Sequence, residues 1–236
     1  MTNKGLFQQI KSDIKAVTNN DPALKSKIEL FFNYPGLWAV INYRIANRFY
    51  RNGFKRTGRF IMGISQILTN IDIHPGATIG EGIFIDHGFG VVIGETAVLE
   101  NNILIYQGVT LGGVSLIKGK RHPTIKSGVV IGAGAKVLGN ITIGQNSKIG
   151  ANSVVIKDVP DNSTAIGIPA RVVERGRSTD PLGHNKLPDI DRELFQYLLK
   201  KVAILEHILM RDHRELLEQD LELDSIYKAF LNSMKE

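Results

Sequence analysis

Aliphatic residues recur at every sixth position through the middle of the chain, in three phased blocks. The positions are Ile73, Ile79 and Ile85; Ile93, Leu99, Ile105 and Leu111; and Ile125, Ile131, Val137, Ile143, Ile149 and Val155. An α-helix has a side-chain period of about 3.6 residues and a strand a period of about 2, so neither element alone explains this repeat. The pattern predicts a solenoid of short strands whose aliphatic side chains point inward while each coil stacks on the next.

The repeat loses its phase at two places. The step from Ile85 to Ile93 is eight residues, and the step from Leu111 to Ile125 is fourteen. A loop must leave the solenoid at the second break, roughly from Ser115 to His122, and loops on rigid scaffolds often carry binding residues. Glycine frequently follows the aliphatic position, and we expect it there to form the tight corners of the coil.

The flanking segments have helical patterns. We predict a helical N-terminal domain over residues 1–70, the solenoid over 71–173, a linker over 174–188 and a helical tail over 189–236. Spacings of three and four residues in the tail are typical of a coiled-coil seam. The seam would contain Phe195, Leu198, Val202, Leu205, Leu209, Asp212 and Leu216. Two alternatives remain open: three tails wind around one another, with Asp212 as the unfavourable member, or the tail packs on the side of the solenoid.

Composition narrows the possible functions. The chain has 29 Lys and Arg against 23 Asp and Glu, a formal charge of +6 that favours anionic partners in general. The basic residues are scattered and not interleaved with aromatic residues, so we do not expect nucleic-acid binding. The absence of cysteine excludes disulfides, thiolate metal ligands and a cysteine nucleophile. No segment has the roughly 20 apolar residues of a membrane span, and we expect a cytoplasmic protein without a membrane partner.

Polar residues that interrupt the repeat are candidates for chemistry, because a ladder position does not need them. Asp72 and His87 are fifteen residues apart, close to the length of one coil, so they are expected near the same edge on adjacent coils. A carboxylate can orient an imidazole and stabilise its protonated form, and such a histidine can accept a proton from a hydroxyl group. The alternative is a solvated or locally hydrogen-bonded histidine.

Five segments together resemble the serine acetyltransferases, a family of hexapeptide-repeat acyltransferases. They are Asp72-Ile-His-Pro-Gly-Ala, Ile85-Asp-His-Gly-Phe-Gly, Val92-Ile-Gly-Glu-Thr-Ala, Val109-Thr-Leu-Gly-Gly and Arg121-His-Pro-Thr-Ile. The resemblance runs from about Asn20 to Val173. A single hexad also occurs in sugar and antibiotic acetyltransferases, whereas the ordered set with its interposed loop is specific.

The resemblance implies a left-handed parallel β-helix that transfers an acetyl group from acetyl-CoA to the hydroxyl of L-serine, the first step of cysteine biosynthesis. It implies that His87 is the general base and that Asp72 orients it. The family uses acetyl-CoA as co-substrate and no metal. The tetrahedral oxyanion also needs a hydrogen-bond donor, which the sequence does not identify.

The resemblance also assigns the groups that bind serine. Asp21 and Asp86 match the acids that hold its amino and hydroxyl end, while Arg121 and His122 match the residues that bind its carboxylate. A zwitterion needs an anionic and a cationic clamp, and arginine can hold a carboxylate with two parallel hydrogen bonds.

In the family, acetyl-CoA lies in the groove between two prisms, beside small residues. Gly113, Ala133 and Ala151 match these positions, and Lys148 could meet the nucleotide phosphates. For the alanines, simple corner packing is an equally good interpretation. The implied active site is shared between subunits of a homotrimer.

Family members also suggest regulation and larger assemblies. L-cysteine competes with serine as feedback inhibitor. Longer bacterial members pair trimers into hexamers through a larger helical N-terminal region, so a dimer of trimers is in doubt here. Their C-terminal isoleucine enters the O-acetylserine sulfhydrylase partner, whereas this sequence ends in Lys235 and Glu236, and a complex by that route is not expected.

Three rival functions remain. Another acyltransferase of the same fold would act on a sugar or an antibiotic, leaving the acids and Arg121-His122 without an obvious purpose. A γ-type carbonic anhydrase would use three histidines as metal ligands, with His74, His87 and His122 as candidates. A catalytically silent scaffold for a partner enzyme is the third.

Overall fold

The structure is a computed structural model that describes residues 5–173 and 190–210. The chain divides into two compact units, Met1–Leu187 and Pro188–Glu236. The predicted linker at 174–188 and the tail beyond residue 210 lie outside the described residues. No helix in the described ranges is long and apolar enough to cross a membrane.

The described part of the first unit begins with helices and continues as short strands. The helices are α1 (Leu6–Asn20), a 3-10 helix (Lys27–Phe31), α2 (Pro35–Arg51) and α3 (Lys55–Thr69). The strands are β1 (Asp72–Ile73), β2 (Thr78–Ile79), β3 (Phe84–Ile85), β4 (Val92–Ile93), β5 (Val98–Leu99), β6 (Leu104–Ile105), β7 (Thr110–Gly112), β8 (Thr124–Ile125), β9 (Val130–Ile131), β10 (Lys136–Leu138), β11 (Thr142–Ile143), β12 (Lys148–Ile149), β13 (Val154–Val155), β14 (Thr164–Gly167) and β15 (Ala170–Val173).

From β1 to β13, successive strands lie on successive faces of a three-sided prism. Face 1 contains β1-β4-β7-β10-β13, face 2 contains β2-β5-β8-β11, and face 3 contains β3-β6-β9-β12-β14-β15. Neighbours within a face pair in parallel and in the register of the repeat, as in Ile73↔Ile93 and Ile93↔Leu111. Among the described strands, the closing pair, β14 with β15, is the one antiparallel pair. The predicted parallel β-solenoid is confirmed.

The aliphatic ladder forms the core of the prism. Its members, from Ile73 through Ile125 to Val155, are buried, and they belong to one continuous apolar cluster. Each coil therefore buries apolar surface against the coils above and below it, which is the main driving force for stacking.

The glycines that follow the ladder lie where a side chain would clash with the neighbouring coil, as expected for tight corners. Gly132 is not among the residues with positive φ; a Cβ there would lie 2.6 Å from the Ala151 amide nitrogen, so glycine is needed for close stacking. The left-handed backbone occurs two positions later, at Gly134 (φ 71°) and at its equivalent in the next coil, Asn152 (φ 56°). Glycine and asparagine tolerate this conformation better than other residues.

The N-terminal helices are fixed to the first coil through a buried ion pair. Arg44 of α2 is 3.1 Å from both carboxylate oxygens of Asp13 in α1, and it also donates hydrogen bonds to the carbonyls of Ile79 and Gly80. Asp13 in turn accepts hydrogen bonds from the backbone N–H groups of Gly82 and Ile83. Every charge in this cluster therefore has a partner, as a buried ion pair requires.

The described part of the second unit is helix α4, Ile190–Met210. Its apolar side chains between residues 194 and 205 are well exposed, for example Leu198 at 49% and Leu205 at 57%.

Candidate active site

The candidate residues separate into two groups at different edges of the prism. We call the edge between faces 3 and 1 the acidic corner; it contains Asp86, His87 and Tyr106 of the prism, together with Asp21 and Tyr34 from the helical region. We call the edge between faces 1 and 2 the loop corner; it contains Glu95, Thr96, Gly113, Arg121 and His122.

His87 lies in the turn that leads from β3 to β4 and has a positive φ of 57°. The two residues added to the repeat at this point allow the turn to project from the prism. Its side chain is 72% exposed, and its Nε2 atom is 4.0 Å from Oδ2 of Asp86. An exposed imidazole at this position can accept a proton from a bound hydroxyl group.

Asp21 and Asp86 come from distant parts of the chain and meet at the acidic corner. Asp21 ends α1, while Asp86 directly follows β3. Partial burial raises the pKa of Asp86, and the negative charge of Asp21 raises it further, whereas His87 lowers it. The charge of Asp21 therefore acts on Asp86, and a joint role of the two acids in binding serine stays a prediction.

Two tyrosines complete this corner and were missed by the sequence analysis. The hydroxyl of Tyr34 donates to Oδ2 of Asp21 at 2.6 Å, while Oδ1 accepts from the Ala23 N–H at 2.7 Å. Burial and this hydrogen bond raise the pKa of Tyr34. Burial also raises the pKa of Tyr106, with smaller contributions from both acids. The phenols stay protonated and can donate hydrogen bonds beside the carboxylates.

Gly36 explains how the helical region reaches the prism at this point. A Cβ at Gly36 would overlap the backbone of Ile85, the residue before Asp86. The start of α2 can therefore approach β3 closely, which carries Tyr34 and its partner Asp21 to the acidic corner.

Asp72 lies in β1 on face 1, and no hydrogen bond or ion pair joins it to His87 in the described residues of this chain. The negative charge of Asp72 acts on His74 instead, where burial lowers the pKa of the imidazole and Asp72 opposes this effect. The turn of His87 nevertheless lies beside the residues that precede Asp72, since the Gly90 N–H donates to the carbonyl of Asn70 at 2.9 Å. The orienting role of Asp72 stays a prediction.

At the loop corner, Thr96 connects the inserted loop to the second coil. Its Oγ1 accepts from the backbone N–H groups of Arg121 at 3.0 Å and His122 at 3.2 Å. The Nδ1 atom of His122 lies 2.8 Å from this hydroxyl and accepts from the Thr96 N–H at 3.2 Å. Because Nδ1 accepts a hydrogen bond from an N–H group, this network assigns the imidazole proton to Nε2.

The charges of the loop corner are balanced locally. Arg121 is 2.8 Å from Oε2 of Glu95, and this hydrogen bond holds the pKa of Glu95 below its usual value. Burial lowers the pKa of His122, and the positive charges of Arg121 and Lys120 add to the effect. The corner therefore offers a guanidinium and a neutral imidazole N–H, both suited to a carboxylate ligand.

The residues assigned to acetyl-CoA fall in three places. Gly113 lies against the loop corner, where a Cβ would be 3.3 Å from Nε2 of His122. Ala133 and Ala151 follow β9 and β12, so they lie along the same prism edge as the turn of His87; the Asn152 N–H donates to the Ala133 carbonyl at 2.8 Å. Lys148 is on face 3, paired in register with Val130 and Thr164.

The histidines proposed as metal ligands do not form one cluster. His87 is at the acidic corner, whereas His74 follows β1 and His122 precedes β8, both at the edge between faces 1 and 2. Within residues 5–173 and 190–210, no group of three or more His, Asp or Glu side chains is arranged to hold a metal ion.

Comparison with known proteins gives consistent matches. The family profile described as bacterial transferase hexapeptide (six repeats) matches residues 122–157. The chain is 49% identical over 215 residues to the serine acetyltransferase of Bacillus subtilis, which covers 90% of this chain and 99% of that protein. It is 48% identical over 202 residues to the serine acetyltransferase of Synechococcus elongatus, covering 85% and 83%.

Solved structures give the same result. A serine acetyltransferase in complex with cysteine matches with a TM-score of 0.73 and 42% identity, covering 76% of this chain and 70% of that one. The Neisseria gonorrhoeae enzyme in complex with serine matches at 0.69 and 44%, covering 72% and 69%. A complex with CoA matches at 0.68 and 43%, covering 72% and 71%. The left-handed β-helix that was expected agrees with these neighbours.

Proposed function

Since the chain belongs to the serine acetyltransferase family, we propose that it transfers an acetyl group from acetyl-CoA to the hydroxyl of L-serine. The products are O-acetyl-L-serine and CoA, and the reaction is the first step of cysteine biosynthesis. The observation that carries this proposal is the near-complete alignment with curated serine acetyltransferases at 46–49% identity. The two corners add a chemical reason. The acidic corner supplies carboxylates for the ammonium group of an amino acid, and the loop corner supplies a guanidinium for its carboxylate.

In this proposal the zwitterion of serine lies between the acidic corner of one copy of the chain and the loop corner of another. Asp21 and Asp86 hold the ammonium and hydroxyl end, and Arg121 and His122 hold the carboxylate. Hydrogen bonds that involve a charged group contribute about 1.5–3 kcal/mol each, so the loss of one clamp should weaken serine binding strongly. The phenols of Tyr34 and Tyr106 keep donors in place around the acids.

His87 acts as the general base on the bound serine. It takes the hydroxyl proton while the serine oxygen attacks the thioester carbonyl carbon, forming a tetrahedral oxyanion. The C–S bond then breaks, and the imidazolium returns the proton to the CoA thiolate. This step leaves O-acetyl-L-serine, the CoA thiol and a neutral His87. Asp86, at 4.0 Å, stabilises the imidazolium in this cycle, and Asp72 is proposed to orient the ring.

The two corners support an active site shared between copies of the chain. His87 follows a strand of face 3, whereas Arg121 and His122 precede a strand of face 2, so face 1 separates them within one prism. We propose a homotrimer in which the acidic corner of one copy meets the loop corner of the next. A contact between two different surfaces closes into a ring when the rotation permits it, and three copies then form three equal sites.

Acetyl-CoA is proposed to lie along the edge that starts at His87. Ala133 and Ala151 have short side chains there and would let the pantetheine approach the backbone, while Gly113 of the neighbouring copy lines the other side. Lys148 would meet the phosphates as a positive charge. L-cysteine, which is named in the complex of a solved relative, is proposed to inhibit by using the serine clamps. We propose the cytoplasm as the site of action, where acetyl-CoA is available.

The release of CoA thiol, measured with serine, homoserine and a panel of sugars, tests the reaction. We expect turnover with serine and little with the others, and competitive inhibition of serine by L-cysteine. Turnover that requires a sugar acceptor and ignores serine would overturn the proposal in favour of a sugar acetyltransferase.

Co-expression of two inactive variants tests the shared site. His87→Asn removes the base from the acidic corner, and Arg121→Gln removes the guanidinium from the loop corner. Every mixed trimer contains one interface, out of three, in which both corners are wild type. Random mixing of equal amounts makes about three quarters of the trimers mixed, so about a quarter of the wild-type activity should be recovered. No recovery in demonstrably mixed oligomers would mean that each site lies within a single chain.

A further inference from the structure

Helix α4 presents apolar side chains that the described part of its unit leaves uncovered. Leu198, Val202 and Leu205 are between 48% and 57% exposed. Helices shorter than about 12–15 residues are marginal on their own, and longer ones still depend mostly on packing of an apolar face. A helix of 21 residues with such a face therefore needs a partner.

The apolar positions of α4 follow a heptad repeat. Phe195, Val202 and Leu209 take the a positions, and Leu198 and Leu205 take the d positions, with alternating steps of three and four residues. This period of about 3.5 residues keeps one seam facing a partner helix over successive turns, whereas packing on a solenoid flank needs no strict heptad.

The flanking positions indicate which partner fits. Lys201 takes a g position and Glu206 the next e position, five residues later. In a parallel coiled coil of identical chains, the g residue of one helix lies beside that e residue of its neighbour, so Lys201 would meet Glu206 of another copy. An antiparallel pair brings g beside g, where Lys201 would meet a like charge or lose its partner. The charge pattern thus favours parallel copies of α4.

The width of the apolar face points to more than two strands. Leu194 at a g position and Leu199 at an e position extend the seam on both sides. Residues at e and g are largely exposed in a two-stranded coiled coil, and additional helices cover more of them. Within its own helix the Nζ of Lys201 lies 5.6 Å from the ring centre of Tyr197, a c position. In the proposed assembly Lys201 would exchange this contact for Glu206 of another copy.

We propose that α4 is an assembly helix that forms a parallel, three-stranded coiled coil with α4 of two other copies of the chain. The strand count rests on the homotrimer of the proposed function; the pairing of the helices does not depend on the reaction. The occupant of the apolar face is thus a second and a third copy of the same helix.

Single-cysteine variants of the full chain test this proposal, because the sequence contains no other cysteine. Helix axes pack about 8–10 Å apart and Cα atoms lie about 2.3 Å from each axis, so facing d residues come within the roughly 7 Å that a disulfide needs. We expect Leu198→Cys and Leu205→Cys to form interchain disulfides under mild oxidation, at least about tenfold faster than Lys200→Cys. Lys200 is the matched control, an exposed f position on the opposite side of the same helix.

The yield measures the number of strands. Three clustered thiols can form only one disulfide, so cross-linking should stop when about two thirds of the chains are joined, whereas a two-stranded seam would approach completion. Joining of nearly all chains overturns the three-stranded proposal. Equal rates at positions 198 and 200, or no disulfide at either Leu198→Cys or Leu205→Cys, overturn the pairing and favour α4 packing on the solenoid. Serine-dependent thiol release by the same reduced variants tests the proposed function separately.

Discussion

The acidic corner and the loop corner carry complementary charges, but they are built in different ways. The acidic corner depends on residues distant in sequence: Asp21 and Tyr34 reach Asp86 only because the N-terminal helices pack against the first coil. The loop corner is held by the solenoid itself, since Thr96 of the second coil bonds both Arg121 and His122 of the inserted loop. The regular prism thus supplies rigid edges, and its non-repeating additions supply the chemistry. We expect mutations to affect the two corners independently.

The largest effect is expected where the helical region is anchored. Arg44→Met leaves the Asp13 carboxylate buried, with a side chain that is 0% exposed, and without its cation. Breaking a buried pair in this way costs about 3–5 kcal/mol. We expect a lower urea midpoint and a higher KM for serine, because Asp21 loses its support, while the hydrogen bonds of the loop corner persist.

Arg51→Met in the same helix is the control, since Arg51 is exposed and makes only a 3.5 Å contact with Thr78. The double variant Asp13→Leu with Arg44→Met should regain part of the lost stability, because it removes the unpaired charge. Equal stability of the Arg44→Met and Arg51→Met proteins would show that the pair does not anchor the helices.

Replacing the base at the acidic corner should mainly affect catalysis. We choose His87→Asn because asparagine tolerates the positive φ of 57°. We expect kcat to fall by about 100-fold or more, the usual effect of losing a general base, with an unchanged unfolding midpoint because the side chain is exposed. Steady-state kinetics and urea unfolding measure both effects. A variant that keeps wild-type kcat would remove His87 from the mechanism.

A smaller effect is expected when the loop corner loses its central hydroxyl. Thr96→Val keeps the shape of the side chain but removes the acceptor for Arg121 and His122 and the bond to Nδ1. We expect the KM for serine to rise about tenfold with a smaller change in kcat, in line with the loss of one or two hydrogen bonds. Thr142→Val on face 2 is the matched control. NMR of the His122 ring should still show the Nε2–H tautomer in Thr96→Val, because the backbone N–H of residue 96 continues to donate to Nδ1. An unchanged KM for serine in this variant would contradict the role given to the hydroxyl.

The smallest effect concerns the pH dependence of stability. Burial, Arg121 and Lys120 lower the pKa of His122 below its usual value of 6.5, so the folded state binds fewer protons there than the unfolded state. Stability from this group is therefore full above about pH 6.5 and is lost as the pH falls toward the folded pKa. His122→Asn keeps an acceptor for Thr96 without titrating. The free energy of unfolding of the wild type should therefore decrease relative to that of the variant as the pH falls from 7.5 to 5.5. An increase relative to the variant would contradict the lowered pKa of His122.

Much of the fold could be predicted because every coil imposes the same requirement. Ile73, Ile93 and Leu111 are separate in sequence, yet each occupies the same inward position on face 1. Tyr34 and Tyr106 were missed because nothing in the periodicity distinguishes a tyrosine at a ligand site from one at the surface. The separation of His87 from His122 could have been found by counting strands in threes, since each third strand returns to the same face.

The sequence by itself determined the solenoid, its two interruptions and the residue types available for acid–base chemistry, because a period of six is a local property repeated along the chain. The tertiary structure decided which of these residues meet. The packing of Gly36 on Ile85 brings the helical region, with the bonded pair Asp21 and Tyr34, to Asp86. The tautomer of His122 arises from the N–H of Thr96 on another coil. These contacts depend on close packing between distant segments, which no local pattern specifies.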